Sequence, residues 1–168
     1  MLQINNSQIL ISEATEADYQ GISEILDEAC RWLAEQGIRQ WTAPFGEDYI
    51  RHKIAGREFH VITLAGQPVG VFRLLWSDAV FWGDVPDDAA YIHTLAVRRA
   101  YAGQGIGQRA IEWASGRARQ QSRKYLRLDC MADSQRLKSY YERLGFTPVR
   151  TRNVRDFQVT LMQRPLTP

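Results

Sequence analysis

Val97-Arg98-Arg99-Ala100-Tyr101-Ala102-Gly103-Gln104-Gly105-Ile106-Gly107 sets three alternating glycines between an apolar strand pattern and an apolar helix pattern. Glycine has no Cβ and reaches positive φ at little cost, so successive backbone N–H groups can point into one concavity at the positive end of the following helix. A pyrophosphate fits such a concavity; a tight turn without a ligand is the alternative. Gly105-Ile106-Gly107-Gln108-Arg109-Ala110 also matches the G-x-G-x-x-G/A dinucleotide pattern, and Asp129 lies about 20 residues on, where a ribose-binding acid belongs. A dinucleotide-binding oxidoreductase is therefore a competing reading. Against it, Arg98-Arg99-Ala100-Tyr101-Ala102 separates the strand from the first glycine, and no run of βα units follows Asp129 to build a doubly wound sheet. No Gly-Lys-Ser/Thr follows the glycines, which excludes a P-loop.

Upstream of the glycines, Tyr91 and His93 are alternate residues of one strand and share a face. Histidine is suited to taking a proton near neutrality, which makes His93 a candidate general base; a partly buried, hydrogen-bonded strand histidine is the alternative. Asp129 and the carboxylates of residues 77–88 are further candidates for base or substrate anchor.

The elements that must position these residues follow from periodicity. Residues 9–11 read as a strand, Thr15-x-x-Asp18 as a helix start, and Ile22, Ile25, Leu26, Ala29 and Leu33 as the apolar stripe of a helix stopped near Gly37. A short helix is expected over 47–54. Residues 58–64 and 69–76 form an antiparallel hairpin through Ala65-Gly66-Gln67-Pro68, and 77–88 reads as a surface loop. A strand over 90–97 leads into the glycines, and Ile106, Ala110, Trp113 and Ala114 stripe the next helix. A strand at 124–130 follows. Ser134 caps a helix ended by Gly145 at its C′ position, and strands at 147–152 and 155–162 precede a frayed tail from Arg164. The expected fold class is α/β: one domain over 1–168, with a mixed, mostly antiparallel sheet and helices on both faces.

Composition narrows the function. At 168 residues and 45% hydrophobic content the chain can bury a sizeable core. No apolar run approaches the ~18 residues of a membrane span and no signal pattern opens the sequence, so a cytoplasmic protein without a membrane partner is expected. Cys30 and Cys130 are too few for a disulfide framework and read as buried thiols, and the three histidines have no metal-ligand spacing. Residues 1–97 carry 6 Lys/Arg against 14 Asp/Glu, a net of −8, while 98–168 carry 15 against 5, a net of +10. A basic half suits a polyanionic ligand. Its arginines are scattered, and no helix-turn-helix, zinc-finger or RNP-like pattern accompanies them, which argues against nucleic acid. Trp32, Trp41, Trp76 and Trp82 could frame a cationic amine, with core packing the alternative for each.

The stretch Leu95–Gly107 resembles motif A of the GNAT superfamily of N-acetyltransferases, and Tyr140-Tyr141-Glu142-Arg143-Leu144-Gly145-Phe146 resembles that superfamily's helix-to-strand segment. The spacing of the two and the element order from Ile9 to Met162 agree with it. The resemblance implies acetyl-CoA as cosubstrate and no metal. It implies that backbone groups of Leu95, Ala96 and Val97 hold the acetyl and pantetheine end, between strands splayed apart at 90–97 and 124–130. Ala102, Gly103, Gln104, Gly105, Ile106, Gly107 and Gln108 would form the phosphate loop, with Ser134 opening the helix beyond. Tyr141 is implied as the general acid that protonates the departing sulfur. Two departures stand out: the first loop position is usually Arg or Gln and here is Ala102, and the later helix often begins with Asn where this chain has Ser134. The first departure suggests that Arg98 or Arg99 supplies a compensating phosphate contact. The expected activity is acetyl transfer to a primary amine, small molecule or peptide, by direct attack in a ternary complex in a monomer or homodimer. A catalytically silent acyl-CoA-binding regulator is a further alternative.

Overall fold

Thr15 and Asp18 open the first helical segment as their spacing predicts. In the computed structural model, which describes residues 9–38, 40–41 and 44–166, the Thr15 N–H donates to the Asp18 carboxylate at 2.7 Å. This turn feeds α1 (Tyr19–Glu35), whose stripe of Ile22, Ile25, Leu26, Cys30 and Leu33 is buried. The chain divides into two compact units, Met1–Arg73 with Thr94–Ala110, and Leu74–His93 with Ile111–Pro168.

In the first unit, β1 (Ile9–Glu13) pairs antiparallel with β2 (Phe59–Leu64), and β2 with β3 (Gln67–Leu75), the hairpin turning at Ala65-Gly66. α2 (Glu47–Ala55) contributes Ile50 and Ile54 to a core shared with Ile22, Ile25, Leu26, Phe59, Val61 and Val71. Burying each such side chain contributes roughly 1.5–3 kcal/mol. Trp41 and Phe45 pack against this core edge to face, at 5.4 Å between ring centroids.

The second unit holds α3 (Ala79–Trp82), β5 (Tyr125–Met131), α5 (Gln135–Arg143), β6 (Thr147–Val154) and β7 (Phe157–Pro165). Three of the described elements pass through both units: β3, β4 (Ala89–Val97) and α4 (Ile106–Gln120). β5 pairs parallel with β4 and antiparallel with β7, and β6 pairs antiparallel with β7. Among the described residues, seven strands order as β1-β2-β3-β4-β5-β7-β6, a mixed open sheet with helices, the α/β class expected. Among the described pairings, the parallel β4–β5 pair stands beside four antiparallel ones, which is incompatible with a doubly wound dinucleotide-binding sheet, so the oxidoreductase reading falls.

Two local expectations are corrected. Residues 77–88 are not simply a surface loop, since α3 lies within them and Trp82 is only 2% exposed, packed with Tyr91, Val154 and Leu161. A four-residue helix is too short to show a 3.6-residue period. The chain from Arg164 is not frayed through Leu166 either: β7 extends to Pro165, the Arg164 guanidinium reaches Glu112, Ser115 and the Leu144 carbonyl, and Leu166 is buried. Thr167 and Pro168 lie outside the described residues.

Candidate active site

The glycine turn has the backbone that its composition requires. Gly103 and Gly105 sit at φ +77° and +79°, and beyond the adjoining residues no heavy atom lies within 4 Å of where a Cβ at either would stand. Ala102 is extended, at φ −61° and ψ 143°. Gln104 ties the loop to itself, its amide donating to the Ala100 carbonyl at 3.1 Å. The first bond of α4 runs from the Arg109 N–H to the Gly105 carbonyl. The N–H groups of Ile106, Gly107 and Gln108 therefore precede the helical ladder, at the positive end of the helix. An open cradle of glycines before orphan helix donors fits a pyrophosphate.

The two arginines before the loop are engaged with α1. Arg98 donates from Nε to the Pro68 carbonyl at 3.0 Å, and its terminal nitrogens pair with Glu24 at 3.0 Å and Glu28 at 3.3 Å. The Arg99 N–H donates to Glu28 at 2.6 Å, and its guanidinium lies 4.1 Å over the Trp32 ring. Leu95, Ala96 and Val97 end β4 just after Thr94, which takes φ +54°. Positive φ is a real outlier for a β-branched residue and breaks the strand's regular alternation there.

In the second unit, β4 and β5 pair over three positions, Ala89–Tyr91 against Tyr125–Arg127. Tyr91 and His93 meet two consecutive aromatics of α3: Trp82 stands 6.0 Å from Tyr91 and Phe81 stands 5.1 Å from His93. Their fates then differ. The Tyr91 hydroxyl accepts from Arg127, whose guanidinium also stacks 4.8 Å over Trp82, so Tyr91 belongs to a packed aromatic-arginine cluster. His93 lies between two carboxylates, its Nε2 at 2.8 Å from Asp78 Oδ2 and its Nδ1 at 3.4 Å from Asp129 Oδ1. Asp78 has a second task, because its Oδ1 accepts from the Phe81 N–H and so caps α3. Arg152 and Arg150 of β6 hold the other end of that turn through the carbonyls of Phe81 and Trp82.

Burial pushes the Asp129 carboxyl up to about 6; the His93 charge pulls it down and Asp78 pushes it further up. Tyr141 lies close enough for the charge of Asp129 to bear on it, and its ring packs on Tyr140 at 5.2 Å and Phe146 at 5.8 Å. Desolvation, reinforced by Tyr140, Cys130 and Asp129, holds its phenol well above the ordinary tyrosine range. Ser134 caps α5 from its hydroxyl, which accepts from the Leu137 N–H at 3.4 Å, and Gly145 follows the helix at φ +85°. Asp78 was among the candidate carboxylates of residues 77–88, but its pairing with His93, and the place of Phe81 beside that ring, were not legible in the sequence. An acid directly before Ala-Val-Phe-Trp is an N-cap signal, but only the fold brings Asp78 to a histidine 15 residues away.

The model of the acetyltransferase (GNAT) family matches residues 20–146 of this chain. An uncharacterized N-acetyltransferase, YesJ, of Bacillus subtilis (strain 168) is 35% identical over 144 residues, spanning 79% of this chain and 78% of the relative. The chain belongs to the GNAT family. It is accordingly an acetyl-CoA-dependent N-acetyltransferase. A GNAT-family acetyltransferase from Listeria monocytogenes 4b F2365 superposes with a TM-score of 0.81 at 27% identity, covering 94% of this chain and 95% of its own. YncA of Salmonella typhimurium, solved with its cofactor acetyl-CoA, shares the fold at a TM-score of 0.68 and 17% identity, with 95% of each chain covered.

Proposed function

We propose that the enzyme moves the acetyl group of acetyl-CoA to a primary amine by direct attack, with both substrates bound together. Acetyl-CoA supplies the activated thioester. Gly103, Gln104, Gly105, Ile106, Gly107 and Gln108 are the backbone donors we assign to its phosphates, with Ala102 at the mouth of the loop. Leu95, Ala96 and Val97 are assigned to its acetyl and pantetheine end. The open glycine cradle at positive φ before α4 is the single observation that carries this reading. Ser134 is assigned to the cofactor on resemblance, and its capping bond supports a role in fixing the start of α5.

Direct attack is favoured over an acetyl-cysteine intermediate because both thiols are poor nucleophiles. Burial pushes Cys130 up to about 11, and its Sγ sits 3.8 Å from Met162 Sδ; burial also raises Cys30. Holding amine and thioester in line contributes most, since well-oriented reactants gain on the order of 7–11 kcal/mol while one acid or base adds about 10²–10⁴-fold. His93 removes the proton that the acceptor's ammonium must lose. Tyr141 is the acid. Because desolvation favours its neutral phenol, Oη keeps its proton across the working pH range and offers it as charge collects on the departing sulfur. The acceptor is a small molecule or a peptide amine, and two carboxylates around His93 suit an approaching cation.

The test is a panel of amines read by release of free CoA thiol, with parent and Tyr141→Phe side by side. The variant is expected to lose kcat tenfold or more while acetyl-CoA affinity, read by melting shift, stays the same. Equal turnover by the two would remove Tyr141 from the reaction. Binding of acetyl-CoA with no thiol release on any amine would favour the silent-regulator alternative.

A further inference from the structure

We propose that Asp78 is the positioning residue that selects the tautomer of His93, turning Nδ1 toward Asp129 so that the base is a His93–Asp129 pair rather than a lone imidazole. The proposal deepens the assignment of His93 as base and rests on that reading for its catalytic consequence.

An imidazole with one proton has one donor and one acceptor nitrogen, and the group facing each nitrogen decides which is which. Asp78 Oδ2 is 2.8 Å from Nε2, a full hydrogen-bond distance, whereas Asp129 Oδ1 is 3.4 Å from Nδ1. Asp78 is also the more buried of the two, its side chain 5% exposed against 16% for Asp129, and its other oxygen is fixed by the Phe81 N–H at 3.2 Å. A carboxylate only accepts, so Asp78 takes Nε2–H and leaves the Nδ1 lone pair toward Asp129. Phe81 closes the face of the ring, and Arg150 and Arg152 hold the turn that carries both Asp78 and Phe81. The groups around the imidazole are thus two carboxylates and an aromatic ring, with the neutral Tyr141 phenol beyond Asp129.

In this arrangement one proton fits between Nδ1 and Asp129 Oδ1. With Asp129 ionised and His93 neutral, the pair has room for the proton released by the acceptor. An N–H bond of the ammonium breaks, an N–H bond at Nδ1 or an O–H bond at Oδ1 forms, and the pair goes from a charge of −1 to 0. The rise of the Asp129 carboxyl to about 6 fits such sharing, since it brings an oxygen acid close to imidazole in proton affinity. Asp78 stays outside the transfer and acts only through the ring.

The test uses the free enzyme, uniformly labelled with ¹⁵N, and long-range ¹H–¹⁵N correlation of the imidazoles at pH 8; His93→Gln identifies the His93 signals. The expected result is a protonated Nε2 and a bare Nδ1. In Asp78→Asn the isosteric amide keeps an oxygen for the Phe81 N–H but turns an N–H toward Nε2, so the tautomer should invert to Nδ1–H. In Asp129→Asn it should remain Nε2–H. A parent already in the Nδ1–H form, an unchanged tautomer in Asp78→Asn, or inversion in Asp129→Asn overturns the proposal. Should Asp78→Asn fail to fold, the parent and Asp129→Asn spectra still decide it. With an acceptor in hand, Asp78→Asn should lower kcat tenfold or more and displace the acid limb of the kcat/KM profile, with acetyl-CoA affinity unchanged. Failure of the acetyl-transfer reading would leave the tautomers as described, whereas failure of the tautomer switch would leave the acetyl transfer standing.

Discussion

Asp129→Asn removes a carboxylate that the fold holds at an energetic cost, and the cost can be worked from its titration. Burial moves this carboxyl from its ordinary 3.8 to about 6, so over that window the folded chain binds more protons than the unfolded one. Stability then falls as pH rises, because the slope of unfolding free energy with pH follows protons bound unfolded minus protons bound folded. The full difference is about 3 kcal/mol at 1.36 kcal/mol per unit, and most of it is expressed between pH 4 and pH 7.5. Asparagine carries no charge at either pH. The variant should therefore gain on the parent by about 2–3 kcal/mol across this interval, whatever constant penalty the amide brings. Urea unfolding of both proteins at pH 4, 5, 6 and 7.5 measures it. A difference between variant and parent that is flat with pH, or that moves the other way, would mean that Asp129 ionises as freely folded as unfolded and would refute the reasoning.

Three further outcomes test other parts of the structure. Gly105→Val should lose the acetyl-CoA melting shift and cost about 1–2 kcal/mol from the φ of +79° alone, since no neighbour crowds the site; a retained shift would remove the loop from cofactor binding. Arg98→Ala should lower unfolding free energy by about 1–3 kcal/mol while changing acetyl-CoA affinity less than twofold, because its partners are Glu24, Glu28 and the Pro68 carbonyl; calorimetry on both counts decides. Gly70→Ala should destabilise by about 1–3 kcal/mol in urea, since its Cβ would stand 3.0 Å from the Ala96 carbonyl oxygen and 3.1 Å from Ile62 Cδ1.

What could be read from the sequence was whatever local chemistry determines. Gly103 and Gly105 announce the loop because only glycine adopts such φ values freely, and Ser134 and Gly145 bracket α5 because an N-cap and a C′ residue are local requirements. The α1 stripe is visible because 17 residues give several turns of periodicity. The partners of His93 were hidden for the opposite reason. Asp78 and Asp129 reach it from 15 residues before and 36 after, across a strand pairing whose register no local pattern states. Arg164 was misread because an arginine beside a proline looks like a solvated tail, while its actual partners, Glu112 and Ser115, sit about 50 residues earlier in the chain.

The charge asymmetry also changes meaning once partners are known. A surplus of +10 after residue 97 suggested a surface ready for polyanions, yet many of these arginines are occupied within the protein. Arg98 serves Glu24 and Glu28, Arg123 serves Asp87, Arg127 is enclosed by Tyr91, Trp82, Gln163 and Asp88, Arg150 and Arg152 hold the end of α3, and Arg164 joins Glu112 to Ser115. A guanidinium already bonded to a carboxylate would have to surrender that partner to reach a phosphate, leaving the carboxylate unpaired. Placing the phosphates on backbone N–H groups avoids this exchange, because the first donors of α4 have no intrahelical acceptor to give up. The methyl group of Ala102 then makes physical sense. If the anion is held by main-chain donors, as proposed above, the loop would not depend on a long cationic side chain at its mouth, and Arg98 fastens the loop's approach to α1.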